Sequence, residues 1–262
     1  MADALDGFEK TRFTALGSTK DIYRMGTGPA VIVMSEMPGI TPDVADFGRK
    51  VAAVGCTTVM PHLFGDDGRP ITGGYVARSM AQACISREFT VLARKKASPV
   101  ITWLRALAKE EHARCGGPGV GAVGMCFTGG FALAMMVDDV MVAPVLSQPS
   151  LPFAISAANR RDLGIPDQDL ATVKARTAEG TCLLGLRFTG DKLSPPERFA
   201  HLREELGDAF ISVELDSSPG NPYGHPKTAH SVLTANLDDR PGTPTSDALD
   251  QVLTFFTDRL LA

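Results

Sequence analysis

Gly119-Val120-Gly121-Ala122-Val123-Gly124-Met125-Cys126-Phe127-Thr128-Gly129-Gly130-Phe131-Ala132-Leu133 is the stretch on which the reading of this chain turns. A short apolar run meets a cysteine framed by glycines, and a helix-forming run follows at once. This is how a nucleophile is held on a sharp strand-to-helix turn, its side chain pushed out over the end of a sheet. A following helix aims its N-terminal N–H groups at the turn and favours negative charge there, hence a thiolate. Most free cysteines are small buried core residues. The glycine frame and the position at the mouth of a helix point instead to a nucleophile.

Outward from this segment, strand-like apolar runs alternate with amphipathic helical runs. Ala30-Val31-Ile32-Val33-Met34-Ser35 reads as a buried strand, and Thr41-Pro42 as the cap and first turn of a helix striped by Val44, Phe47, Val51 and Val54. Thr57-Thr58-Val59-Met60 is the next strand. Residues 79–97 and 99–114 read as two helices, and 140–145, 181–188 and 210–215 as further strands. Residues 147–166 read as a long loop, Ser194-Pro195-Pro196-Glu197 as a capping box, and residues 12–26 as a small antiparallel ribbon. A closing helix carries Leu249, Val252, Phe255, Phe256 and Leu260. The pattern predicts α/β architecture, a mainly parallel doubly wound sheet with helices on both faces, in one domain spanning 1–262.

Composition narrows the function. The chain has 262 residues, 44% of them hydrophobic and 21% charged, with a formal net charge of -4. An acidic balance without a Lys/Arg block argues against nucleic acid or a membrane surface as partner. No apolar run reaches spanning length and the N-terminus lacks a signal-peptide layout, so a cytoplasmic protein is expected. The cysteines (Cys56, Cys84, Cys115, Cys126, Cys182) are scattered with no C-x-x-C pair, which suggests neither a disulfide framework nor a zinc site. No metal or organic cofactor is expected, and the sequence leaves the oligomeric state open.

In doubly wound sheets the site lies at the carboxyl ends of the strands, where Glu36, His62, Cys126, Asp191 and Asp216 fall. A cysteine nucleophile needs a base, and the base needs a group that fixes its tautomer. Asp191, after a strand and a glycine, is the first choice of acid, with Asp216 the fallback. The base is His230, at the head of Ser231-Val232-Leu233, or His225, which precedes Pro226 and is thereby biased to an extended loop. Glu36 opens Glu36-Met37-Pro38-Gly39, where a second oxyanion donor usually originates, so the two donors are expected at the N–H groups of Met37 and Phe127. His62 reads as a loop residue or as part of the pocket wall.

Taken together, Gly124-Met125-Cys126-Phe127-Thr128-Gly129-Gly130, Ser35-Glu36-Met37-Pro38-Gly39, Gly190-Asp191 and Ala229-His230-Ser231 resemble the dienelactone hydrolase family, from about residue 28 to the C-terminus. The resemblance implies the α/β-hydrolase fold and a Cys–Asp–His triad of Cys126, Asp191 and His230. It also implies that Glu36 bonds to the cysteine until substrate arrives. Two departures stand out. Thr128 occupies a glycine position of the family's elbow, which predicts a slightly opened turn. Thr234 stands where well-known members place an arginine for the substrate's carboxylate, leaving Arg78 and Arg87 as candidate substrate-binding cations.

The expected chemistry is cysteine-dependent hydrolysis of a small-molecule ester or lactone through a thioester. An acyl-transferring or ring-rearranging enzyme is the first rival, since Pro149, Leu151, Pro152 and Phe153 form an apolar loop able to cover a dry pocket. A non-catalytic ligand-binding protein on the same scaffold is the second.

Overall fold

The apolar run at 30–34 becomes a strand whose side chains divide between two cores. Val31 and Val33 pack with one, Ile32 and Met34 with the other, and all four are fully buried. Alternation with both faces apolar is what a central strand covered on both sides requires. The computed structural model describes residues 3–85 and 98–262. Its strands are β1 (Glu9–Ala15), β2 (Ser18–Gly26), β3 (Ala30–Met34), β4 (Thr57–Pro61), β5 (Val120–Met125), β6 (Met141–Ser147), β7 (Leu183–Phe188) and β8 (Phe210–Leu215). They form one sheet in the order β1-β2-β4-β3-β5-β6-β7-β8. The pairs β1–β2 and β2–β4 are antiparallel, and every other pair is parallel. This is the α/β-hydrolase arrangement expected from the sequence.

The helices are α1 (Pro42–Ala53), α2 (Gly73–Ile85), α3 (Pro99–Cys115), α4 (Phe131–Met135), α5 (Ala157–Arg161), α6 (Asp167–Ala178), α7 (Pro196–Leu206) and α8 (Pro244–Leu260). α1 and α8 cover one face through Val44, Phe47, Val51, Leu249, Val252 and Phe256. α3, α4, α6 and α7 cover the other through Trp103, Leu104, Phe131, Val173 and Leu202. Thr41 caps α1 as its sequence suggests, its side chain accepting the Val44 N–H at 3.3 Å ahead of Pro42.

Several local expectations change. Ser194 does not cap α7: the N-cap is Pro195, without a side-chain hydrogen bond, and the Ser194 carbonyl instead accepts from Arg187 Nε at 2.8 Å. The stretch read as a loop, 147–166, contains α5, and α6 follows it unforeseen, because its mixed charged sequence carries only a thin apolar stripe. α2 begins at Gly73, ahead of the expected residue 79, and the expected helix residues 86–97 lie outside the described residues.

Candidate active site

The parallel register brings the carboxyl ends of β3, β5, β6 and β7 together. Met34 is level with Gly124, Met125 with Ser147, and Ser147 with Leu186. The chain turns sharply after Met125. Cys126 has φ of +53°, a left-handed conformation costly for a residue with a Cβ, and a 3-10 turn spans Cys126–Thr128. The turn closes because Gly124 has no side chain: a Cβ there would sit 2.1 Å from the Thr128 carbonyl oxygen. The helix after the elbow is only Phe131–Met135, so little of the anion-favouring field can come from a helix dipole.

Thr128 does not open the elbow; it fastens it. The buried hydroxyl accepts the Met125 N–H at 2.9 Å and lies 3.0, 3.1 and 3.2 Å from the carbonyls of Met34, Met125 and Ser35. One side chain thus ties the Cys126 turn to the end of β3. On the other flank, Ser150 N–H donates to the Cys126 carbonyl at 2.9 Å.

Asp191 and His230 meet as the resemblance implied. His230 Nδ1 lies 2.6 Å from Asp191 Oδ2, and the carboxylate's other oxygen accepts the Leu193 N–H at 2.8 Å. Gly190 lets the turn pack tightly, since a Cβ would come within 2.8 Å of the Lys227 carbonyl. The other ring nitrogen, His230 Nε2, is buried without an aligned partner, and Cys126 is the neighbour acting on it. Burial works against a charged ring, but the hydrogen bond with Asp191 and the nearness of the Cys126 sulfur and of the carboxylate charge raise the His230 pKa from 6.5 to about 11. The environment therefore favours an imidazolium beside the sulfur.

The rival residues fall elsewhere. Asp216 is exposed and accepts from Ser218, whose hydrogen bonds hold its carboxyl below the usual range. His225 packs edge-on against Phe188 at 5.1 Å. His62, at the end of β4, pairs with Asp67 at 2.5 Å, and Asp67 also accepts the Tyr23 hydroxyl at 2.5 Å. Arg78 does not stand free for a substrate carboxylate. It is half-exposed on α2 and paired with Asp66 at 2.6 and 2.8 Å, where it holds the loop after β4. Arg87 lies outside the described residues.

Glu36 and Met37 follow β3 into the site. Met37 shares an apolar cluster with Cys126, Phe127, Leu63 and Phe64, and the turn closes through Gly39 N–H to the Glu36 carbonyl at 2.9 Å. Phe127 is ringed by Phe64, Phe131 and Phe153, with centroids 5.9, 6.4 and 6.5 Å away. Glu36 is not bonded to the cysteine as expected. Its carboxylate accepts from Ser231, Thr234 and Gln148. Sequence reasoning missed Gln148, Asn236 and the hydroxyls of Ser231 and Thr234, because only the folded chain brings residues so far apart onto one group.

The cysteines with described side chains (Cys56, Cys115, Cys126, Cys182) are all free thiols. Among the described residues no three His, Cys, Asp or Glu side chains gather as a metal-holding group, and no helix is long and apolar enough to cross a membrane.

Known proteins share this fold. The fold is shared with a dienelactone hydrolase-like promiscuous phosphotriesterase from metagenomic libraries, at 15% identity and a TM-score of 0.64, covering 97% of this chain and 98% of that one. It is shared too with a cold-adapted esterase from an Arctic intertidal metagenomic library, at 12% identity and a TM-score of 0.57, covering 97% and 93%. The thioesterase domain of the curacin biosynthetic pathway matches at 12% identity and a TM-score of 0.59, covering 95% and 100%. None of the curated proteins matches the sequence. The dienelactone hydrolase family model matches residues 15–257, so this chain belongs to the dienelactone hydrolase family and is a hydrolase of esters or lactones.

Proposed function

We propose that this hydrolase works through Cys126, Asp191 and His230, with a thioester intermediate. The observation that carries the reading is a buried Asp191–His230 pair at 2.6 Å whose ring is also acted on by a cysteine held at φ of +53°. A raised imidazole pKa suits His230 to take the thiol's proton as the sulfur attacks, which leaves the ring as the imidazolium.

The sulfur attacks the carbonyl carbon, and the oxyanion accepts hydrogen bonds from the N–H groups of Met37 and Phe127. The C–O bond breaks, the imidazolium of His230 gives its proton to the leaving alkoxide, and the acyl group stays on sulfur. Neutral His230 then takes a proton from water, the hydroxide adds to the thioester, the C–S bond breaks, and the released sulfur takes its proton back from His230. Asp191 stays ionised throughout, fixing the ring's tautomer and stabilising its charged form. The substrate is a small ester or lactone, and the protein acts in the cytoplasm.

The test is intact-protein mass spectrometry during turnover of small lactones and activated esters, with wild type and Cys126→Ala. Acyl adducts and hydrolysis in wild type, both lost in the variant, are the expected result. A variant that hydrolyses as fast as wild type refutes the role of Cys126. An adduct that accumulates without hydrolysis moves the reading to acyl transfer, for which the aromatic wall of Phe64, Phe127 and Phe153 would exclude water.

A further inference from the structure

Glu36 is a carboxylate with 2% of its surface exposed and, among the described residues, no cation paired to it. Burying such a group is costly unless hydrogen bonds replace its water. Here the donors replacing water are specific. Ser231 donates to Oε2 at 2.6 Å, Thr234 donates to Oε1, and Gln148 Nε2 donates to Oε2 at 3.3 Å. Two of the three donors follow His230 within four residues of the chain, and the third sits at the end of β6.

The same turn is braced from its other side. Asn236 Oδ1 accepts the N–H groups of His230 at 2.9 Å and Ser231 at 3.0 Å, and Asn236 N–H returns to the Ser231 carbonyl at 3.0 Å. Gln148 Oε1 takes the Val232 N–H at 3.4 Å and is bonded by the Ser147 hydroxyl. The stretch from His230 to Asn236 forms no helix or strand, so regular backbone hydrogen bonding cannot hold it. Asp191 fixes the imidazole at a single atom. What keeps the backbone beneath that ring in place is the Asn236 brace and the carboxylate of Glu36.

We propose that Glu36 is a positioning residue: it ties the turn bearing His230 to the ends of β3 and β6, and it does not hold the Cys126 thiol. This inference rests on His230 being the base of the triad. Glutamate suits the place because both of its oxygens accept, from the two hydroxyls and from Gln148 Nε2. The Thr234 hydroxyl is committed to the same carboxylate, which gives that position a structural task in place of substrate binding.

The experiment compares Glu36→Gln, Glu36→Ala, Ser231→Ala and Thr234→Val. For each, kcat and KM are measured on an activated ester, and iodoacetamide alkylation of Cys126 is followed without substrate by peptide mass spectrometry. Loosening the turn should lower kcat on the order of 10- to 100-fold, because a small displacement of the base is enough. KM should stay within about twofold, since no group touching substrate is removed. Alkylation of resting Cys126 should slow, because the imidazolium is no longer held against the sulfur.

Ser231→Ala and Thr234→Val keep the carboxylate and stand in if Glu36→Ala fails to fold. Combined with Glu36→Gln they should cost less than the sum of the separate effects. Faster alkylation on replacing Glu36 would mean that it restrains the thiol, and the proposal would fall. Unchanged kcat, or strictly additive losses, would overturn it equally. Failure of the triad reading looks different: hydrolysis would then survive complete alkylation of Cys126 in wild type.

Discussion

Thr128→Val is the substitution that most directly tests how the Cys126 turn is held. It keeps side-chain shape and volume and replaces one hydroxyl with a methyl. The hydroxyl accepts the Met125 N–H at 2.9 Å and has the Met34, Met125 and Ser35 carbonyls at 3.0, 3.1 and 3.2 Å as alternative acceptors for its single proton. The site is fully buried, so water cannot replace the lost partner. Orphaning the N–H costs about 1–3 kcal/mol, and the carbonyl that loses its donor adds about 1 kcal/mol. The variant should therefore lose about 2–4 kcal/mol, and its Tm should fall on the order of 5–15 °C for a chain of this size.

Urea unfolding followed by circular dichroism measures the loss, with Thr128→Ser as the control. Serine keeps the hydroxyl and deletes only a methyl, which should cost about 1 kcal/mol. Activity should follow the same order, with kcat of the valine variant on the order of tenfold down, because the strained Cys126 loses the bond that ties its turn to β3. If valine proved as stable as wild type, or serine as damaging as valine, the threonine would be filling space and the hydrogen-bond argument would fail.

Asp191→Asn should leave the fold intact and lower kcat on the order of 10³- to 10⁴-fold, since the amide presents the wrong tautomer to His230; kcat with an unchanged circular dichroism spectrum checks it. Arg198 is buried, which pushes its pKa down to about 10, and it spends its guanidinium on the carbonyls of Pro149, Pro152, Asn159 and Asp162. Arg198→Met should cost about 2–4 kcal/mol and expose residues 149–162 to limited proteolysis, whereas unchanged cleavage would show the loop to be held otherwise. Burial acts against ionised Asp138, but hydrogen bonds from Arg105 and Lys109 prevail and lower its pKa from 3.8. Its stabilisation is thus present above the unfolded value and lost as pH falls through the folded one. The Tm gap between wild type and Asp138→Asn should be open at neutral pH and close in acid.

The sequence made the glycine-framed turn at Cys126, the buried β3 and the Asp191–His230 contact legible, because each writes itself into a local pattern. Gly124 before Cys126 and Gly190 before Asp191 mark places where the backbone must pass another chain closely, and a missing Cβ is visible in one letter. The role of Thr128 was misread from that same letter. Side-chain volume at the glycine position predicted an opened turn, but the deciding term was a hydroxyl facing the carbonyls of Met34 and Ser35, which come from another strand. α6 was missed because its face is covered mainly by Val173, with Arg176 buried at its end, too thin a stripe to register as periodicity. Ser194 mimicked a cap, yet its carbonyl is taken by Arg187 and the helix starts beyond it. The environment of Glu36 was beyond sequence reasoning altogether: its donors lie at positions 148, 231 and 234, and only the sheet order brings them together.

The way the three loops are anchored has a consequence for how substitutions combine. Cys126 is held by Thr128 and by Ser150 N–H. Asp191 is held by the Gly190 N–H bond to Ser217 Oγ at 2.9 Å, and by Arg187, which donates to the Thr189 carbonyl at 3.1 Å and the Ser194 carbonyl at 2.8 Å. His230 is held by Asn236 and by the turn tied to Glu36. The Thr128 and Arg187 anchors share no hydrogen-bond partner, so Thr128→Val and Arg187→Met should add in stability to within about 0.5 kcal/mol. Their effects on kcat should not add. In the proposed triad, sulfur, imidazole and carboxylate must be aligned at one instant, and once one loop has slackened, loosening a second removes alignment already lost. Additive stability with sub-additive catalysis would therefore show that separately anchored loops serve one reaction geometry. Additive losses in both would mean that the three side chains act independently, which a single relay through His230 does not permit.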